Sequence, residues 1–108
     1  MLITTQDNFA DYEIAETLGL VKGNTIRARH VGKDILASLR TLIGGEITEY
    51  TKMLAESREQ ALDRMIADAQ SKQADGIVCL RFTTSAVMQG SAELLAYGTA
   101  VKLSKKQS

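Results

Sequence analysis

Between Glu46 and Lys72 the chain carries the pattern of one long amphipathic helix, and the rest of the fold must be laid against it. Ile47, Tyr50, Leu54, Ala61, Met65 and Ala69 recur at helical spacing as one stripe, with Leu62 and Ile66 beside it. Glu49, Lys52, Glu56, Glu59, Asp63 and Asp68 mostly lie away from that stripe. Lys52–Glu56, Arg64–Asp68 and Asp68–Lys72 are opposite charges four apart, each worth roughly a few tenths of a kcal/mol. The charge run reads as a solvated helix face. Ahead of it, Ile35, Leu36, Leu39, Leu42 and Ile43 predict a shorter helix from His30 to Ile43, with Asp34 near its positive end. Gly44-Gly45 is the joint between the two, because glycine takes the left-handed dihedrals that end a helix.

The remainder reads as strand. MLITT is a short β-prone piece, and QDNFAD carries turn chemistry. Tyr12 to Arg29 predicts one long bent strand, or two with a kink near Gly23-Asn24. Gln73 to Gly76 ends the long helix. Gly76 to Val87 and Ala92 to Leu103 predict an antiparallel hairpin turning at Met88 to Ser91, with Ser104 to Ser108 a frayed polar tail. The order is β-α-α-β-β, an α+β subunit with an antiparallel sheet packed on a long helix.

Strict alternation places Ile77, Cys79, Arg81 and Thr83 on one face of the hairpin and Val78, Leu80, Phe82 and Thr84 on the other. In the last strand Glu93, Leu95, Tyr97, Thr99, Val101 and Leu103 alternate with Leu94, Ala96, Gly98, Ala100 and Lys102. Both faces are apolar in their middles, so the sheet is expected to be covered on both sides. One long helix covers one face. The short helix or a second copy must cover the rest, and association would also shield the open sheet edges.

Composition narrows the function. The 108 residues fit a single domain, 1–108. Lys+Arg and Asp+Glu both number 13, and a net charge of zero argues against a dedicated nucleic-acid binder. The one cysteine, Cys79, allows no intrachain disulfide. The first residues lack a basic region followed by an apolar core, and no apolar run approaches the roughly 20 residues that span a bilayer. A soluble cytoplasmic protein with no membrane partner is expected.

Taken together, GNTIRARHVGKDI, LIGGEITEYTKML, REQALDRMI, VCLRF and LAYGTAV resemble the YbjQ-like family, whose usual label is a heavy-metal-binding domain. The resemblance covers about Met1 to Leu103. It implies a small α+β subunit of dodecin-like fold that assembles into a homopentameric ring in the bacterial or archaeal cytoplasm. It supplies no catalytic residues. Where the family commonly has a Gly-Ala-Asn-Ala-like turn and then a glycine in the strand, this chain has Ala74-Asp75-Gly76 and then Cys79. Cys79 therefore stands outside the family pattern.

The chemistry on offer is limited. Soft metals take thiolates and imidazoles, usually several together. The chain has one histidine, His30, one Cys79 and no CxxC, and its four methionines are scattered. A divalent or heavy metal ion would need carboxylates, or the same ligand repeated around a ring axis. No Ser-His-Asp order, P-loop or dinucleotide glycine pattern is present, so no enzyme is expected. Arg27, Arg29, Lys33 and Arg40 gather at the strand–helix junction and, repeated in a ring, would make a basic collar for a phosphate-bearing small molecule or an acidic partner. Glu46, Tyr50, Arg81 and Tyr97 could line a pocket between subunits. The reading is a non-catalytic ring that binds a small ligand or anion at its interfaces. The alternative is a heavy-metal-binding protein with His30 and Cys79 as ligands.

Overall fold

The computed structural model describes residues 1–28, 45–88 and 91–107. Strand β1 spans Leu2–Ile3, β2 Tyr12–Ala28, helix α1 Gly45–Ser71, β3 Gly76–Met88 and β4 Ser91–Lys105. The strands form one sheet in the order β1-β3-β4-β2. β4 lies between β3 and β2 and is antiparallel to both. β1 runs parallel to β3, with Leu2 beside Gly76 and Ile3 beside Ile77. The sheet is thus mixed, where a wholly antiparallel one was expected. The long connection through β2 and α1 is the kind of crossover that parallel pairing requires. The shorter helix expected from His30 to Ile43 lies outside the described residues.

β2 has 17 residues and spans about 56 Å when extended. The molecule measures 60 × 24 × 16 Å, with a radius of gyration of 17.9 Å. A compact chain of this length has a radius near 13 Å. β2 does not break at Gly23-Asn24, where pairing with β4 is continuous. Its irregularities fall earlier, between Ile14 and Glu16 and between Thr17 and Gly19, and Gly19 takes a φ of +107°. Ser104 and Lys105, expected in the tail, pair with Glu13 and Tyr12, and the Lys106 amide donates to the Asp11 carbonyl at 3.0 Å.

α1 packs on β2 and, to a lesser extent, on β4. Ala61, Met65 and Ala69 are fully buried there against Val21, Ile77, Leu94, Ala96 and Ala100. The approach is close because Gly23 has no side chain. A Cβ at that position would overlap the Ala61 carbonyl and the Met65 amide and stand 2.7 Å from the Arg64 Cβ. Ser57, absent from the expected stripe, is buried on the same line, and its carbonyl accepts from the Thr25 hydroxyl at 3.3 Å. Of the expected helix charge pairs, Asp68–Lys72 forms at 3.7 Å. Arg64 instead donates to the Asn24 carbonyl, and Asp68 accepts the Lys22 amide at 3.1 Å. Two helix side chains thereby satisfy backbone groups of edge strand β2.

The helix ends in a Schellman motif. Gln73 takes a φ of 61°, its amide donates to Gln70, and the Ala74 amide donates to Ala69 at 3.1 Å. Ala74 then packs against the core. Asp75 follows as a three-way tie: its amide donates to Val101, its carboxylate accepts from the Leu103 amide at 2.9 Å, and its carbonyl accepts from Leu2.

Candidate functional site

The faces of β3 depend on a bulge. Val78 lies opposite Thr99 and Arg81 opposite Tyr97, so three steps along β3 match two along β4. The extra residue comes at Cys79-Leu80, and Cys79 takes a φ of 57°. The amides of Cys79 and Leu80 donate to the Gln6 and Thr4 carbonyls at 2.8 and 3.1 Å. The expected alternation fails at this point. Ile77 shares its face with Phe82 and Thr84, not with Arg81, while Val78 shares its face with Arg81 and Thr83.

This shift builds a row across three strands. Lys22 on β2 and Arg81 on β3 each lie directly opposite Tyr97 on β4, so all three project from the face turned away from α1. Lys22 and Arg81 are two strand spacings apart, about 10 Å. Arg81 is anchored: one guidinium nitrogen, Nη1, donates to the carbonyls of Thr5 and Leu80, both at 2.8 Å. Among the described residues neither the Lys22 ammonium nor the Tyr97 hydroxyl has a hydrogen-bond or ion-pair partner. The nearby carboxylate of Glu93 is held by the Asn24 amide at 3.0 Å.

Below this row the face is closed over β3 and β4. The Phe9 ring reaches the space over Gly76, and Val78 and Val101 are buried. On β2 the face is open on either side of the row: Leu20, opposite Thr99 one rung below it, is 63% exposed, and Ile26, opposite Glu93 two rungs above it, is 60% exposed. On the helix side, Phe82 on β3 is 43% exposed.

Of the residues singled out in the sequence, the structure brings Arg81 and Tyr97 together and adds Lys22, which sequence reasoning missed. Arg27 stands near the end of β2 opposite Ala92, four residues beyond Gly23. Glu46 and Tyr50 fall in the first two turns of α1. Arg29, His30, Lys33 and Arg40, and with them most of the expected basic collar, lie outside the described residues. Cys79 is a half-buried free thiol at the bulge. Among the described residues no three His, Cys, Asp or Glu side chains gather where they could hold a metal ion. The described part of one copy does not fit a heavy-metal site.

These features define a small α+β protein: a mixed four-stranded sheet crossed by one long helix, with an open face bearing a tyrosine between two cations. The chain belongs to the family described as "Putative heavy-metal-binding", which matches residues 1–104. It is 63% identical over 105 residues to a UPF0145 protein of Methanococcus vannielii, covering 97% of this chain and all of that one. It is 60% identical to a UPF0145 protein of Dehalococcoides mccartyi, over 94% of this chain and 97% of the relative. A crystal structure of a DUF74 family protein of unknown function from Pediococcus pentosaceus shares the fold, with a TM-score of 0.64 at 19% identity over 96% of this chain and 98% of that one.

Proposed function

We propose that the chain is the subunit of a homo-oligomeric ring, a pentamer by the family resemblance, which binds a small ligand or anion at its subunit interfaces without transforming it. The observation that carries this reading is the apolar surface left exposed on both sides of the sheet, Leu20 and Ile26 on one and Phe82 on the other. Burying each such side chain favours association by about 1.5–3 kcal/mol. The 60 Å length of the subunit supports the same reading, since an elongated chain gains burial from neighbours. The family description names no catalytic activity. No helix among the described residues is long and apolar enough to cross a membrane. We assign the ring to the cytoplasm on its single free cysteine.

Native mass spectrometry of untagged protein, purified without chelators or metal columns, tests the proposal. A ring mass carrying an organic ligand is the expected result. A clean monomer sinks it.

The family description favours a second reading, heavy-metal binding. Such a site would need His30 and Cys79 together, or ligands from several copies around an axis. Elemental analysis of the same protein beside His30→Ala and Cys79→Ser separates the readings. Stoichiometric metal lost in either variant would establish the metal site and displace the small-ligand proposal.

A further inference from the structure

We infer that Lys22, Tyr97 and Arg81 form a recognition row for a small organic anion that joins a phosphate or carboxylate group to a planar ring. The inference deepens the ligand-binding reading above and rests on it, by naming the site and the class of ligand. Three observations lead here. The cross-strand register sets a lysine and an arginine on either side of one tyrosine. Their backbones stand about 10 Å apart, a gap that two long side chains can close over a single anionic group. The donors are also available. The Lys22 ammonium and the Tyr97 hydroxyl have no partner among the described residues, and Arg81 has guanidinium N–H groups beyond the nitrogen that holds Thr5 and Leu80. That anchor fixes the direction of the guanidinium, so less side-chain freedom is lost on binding.

The third observation is the setting. The Glu93 carboxylate, which would compete for the cations, is engaged by Asn24. Apolar side chains flank the row on both sides: Leu20 is exposed beside Lys22 on the rung of Thr99, and Leu95 stands next to Tyr97 in the opposite direction on the same face of β4. A bare inorganic anion would use the cations and leave Tyr97 and the leucines idle. A planar ring lying on Tyr97, with its anionic group between Lys22 and Arg81, uses both.

Isothermal titration calorimetry of the assembled, untagged protein with phenyl phosphate, inorganic phosphate and phenol tests this. Phenyl phosphate is expected to bind at least about tenfold more tightly than either fragment. Lys22→Gln and Tyr97→Leu are each expected to weaken phenyl phosphate about tenfold. Lys22 is exposed and its side chain bonds nothing among the described residues, so the first variant is expected to leave folding intact, and thermal melting of both variants checks this. No binding of phenyl phosphate at low millimolar concentration overturns the proposal. So does binding that neither variant alters, or inorganic phosphate binding as tightly as phenyl phosphate. Native mass spectrometry of the same samples keeps the two readings apart. An oligomer that binds nothing sinks the site alone, and a monomer that binds phenyl phosphate sinks the ring alone.

Discussion

The carbonyl of Ala61 stands directly over Gly23, in the space that a Cβ on Gly23 would fill. Helix and strand meet there main chain to main chain, and the obstruction on the helix side is backbone that no rotamer change can move. Gly23→Ala should therefore cost about 3 kcal/mol, the upper range for overpacking a core. Gly19→Ala is the comparison. Nothing lies within 4 Å of the added Cβ there, and only the φ of +107° opposes it. That should cost about 1–2 kcal/mol. Urea midpoints of the two variants give the order directly.

The end of α1 offers a gain. Gln73 occupies a left-handed conformation that glycine adopts freely. Gln73→Gly relieves about 1–2 kcal/mol of strain and loses part of that to the freer unfolded chain. A net stabilisation of about 0.5–1 kcal/mol is expected, read as a higher urea midpoint with unchanged slope.

Arg81 has a structural task beside any binding role, because Nη1 ties the Thr5 carbonyl to the bulge. In Arg81→Gln the amides of Cys79 and Leu80, which bond Gln6 and Thr4, should exchange hydrogen about tenfold faster, the equivalent of losing about 1.4 kcal/mol of local protection. Amides of the β2–β4 ladder should be unchanged. Uniform acceleration throughout the sheet would show that Arg81 supports global stability instead.

Leu20→Lys combined with Ile26→Lys places two charges on the open face. If copies associate through that face, sedimentation should report a smaller species than wild type, with the far-ultraviolet circular dichroism spectrum preserved. An unchanged assembled mass would remove this face from the interface.

The long helix was legible because Ala61, Met65 and Ala69 repeat every four residues, and that period is printed in the chain. Ser57 was not, since a polar residue counts against a stripe. It lies one turn before Ala61 on the same line, where its carbonyl meets the buried Thr25 hydroxyl. The bulge at Cys79-Leu80 was illegible because its cause is distant: carbonyls of Thr4 and Gln6, more than seventy residues away in sequence, claim the two amides. Without the bulge, alternation sends Arg81 to the same face as Ile77. With it, Arg81 meets Tyr97. Lys22 was missed for a related reason, since its place opposite Tyr97 depends on a register set after two irregularities near Ala15 and Leu18. β1 was read only as a β-prone piece, because two residues carry too little pattern to show a pairing direction.

The capping of β2 by Arg64 and Asp68 bears on how the protein survives at high concentration. Any strand that tried to join the sheet along the middle of β2 would first have to displace both side chains from the Asn24 carbonyl and the Lys22 amide. Among the described residues the opposite margin is guarded as far as Leu80, where Thr4 and Gln6 bond β3. Growth of the sheet is thus obstructed on one margin and half-obstructed on the other, and a sheet hindered in this way resists stacking end on end into fibrils. Losing Asp68 or Arg64 would leave most of the molecule's stability intact, and its first symptom would be turbidity on storage.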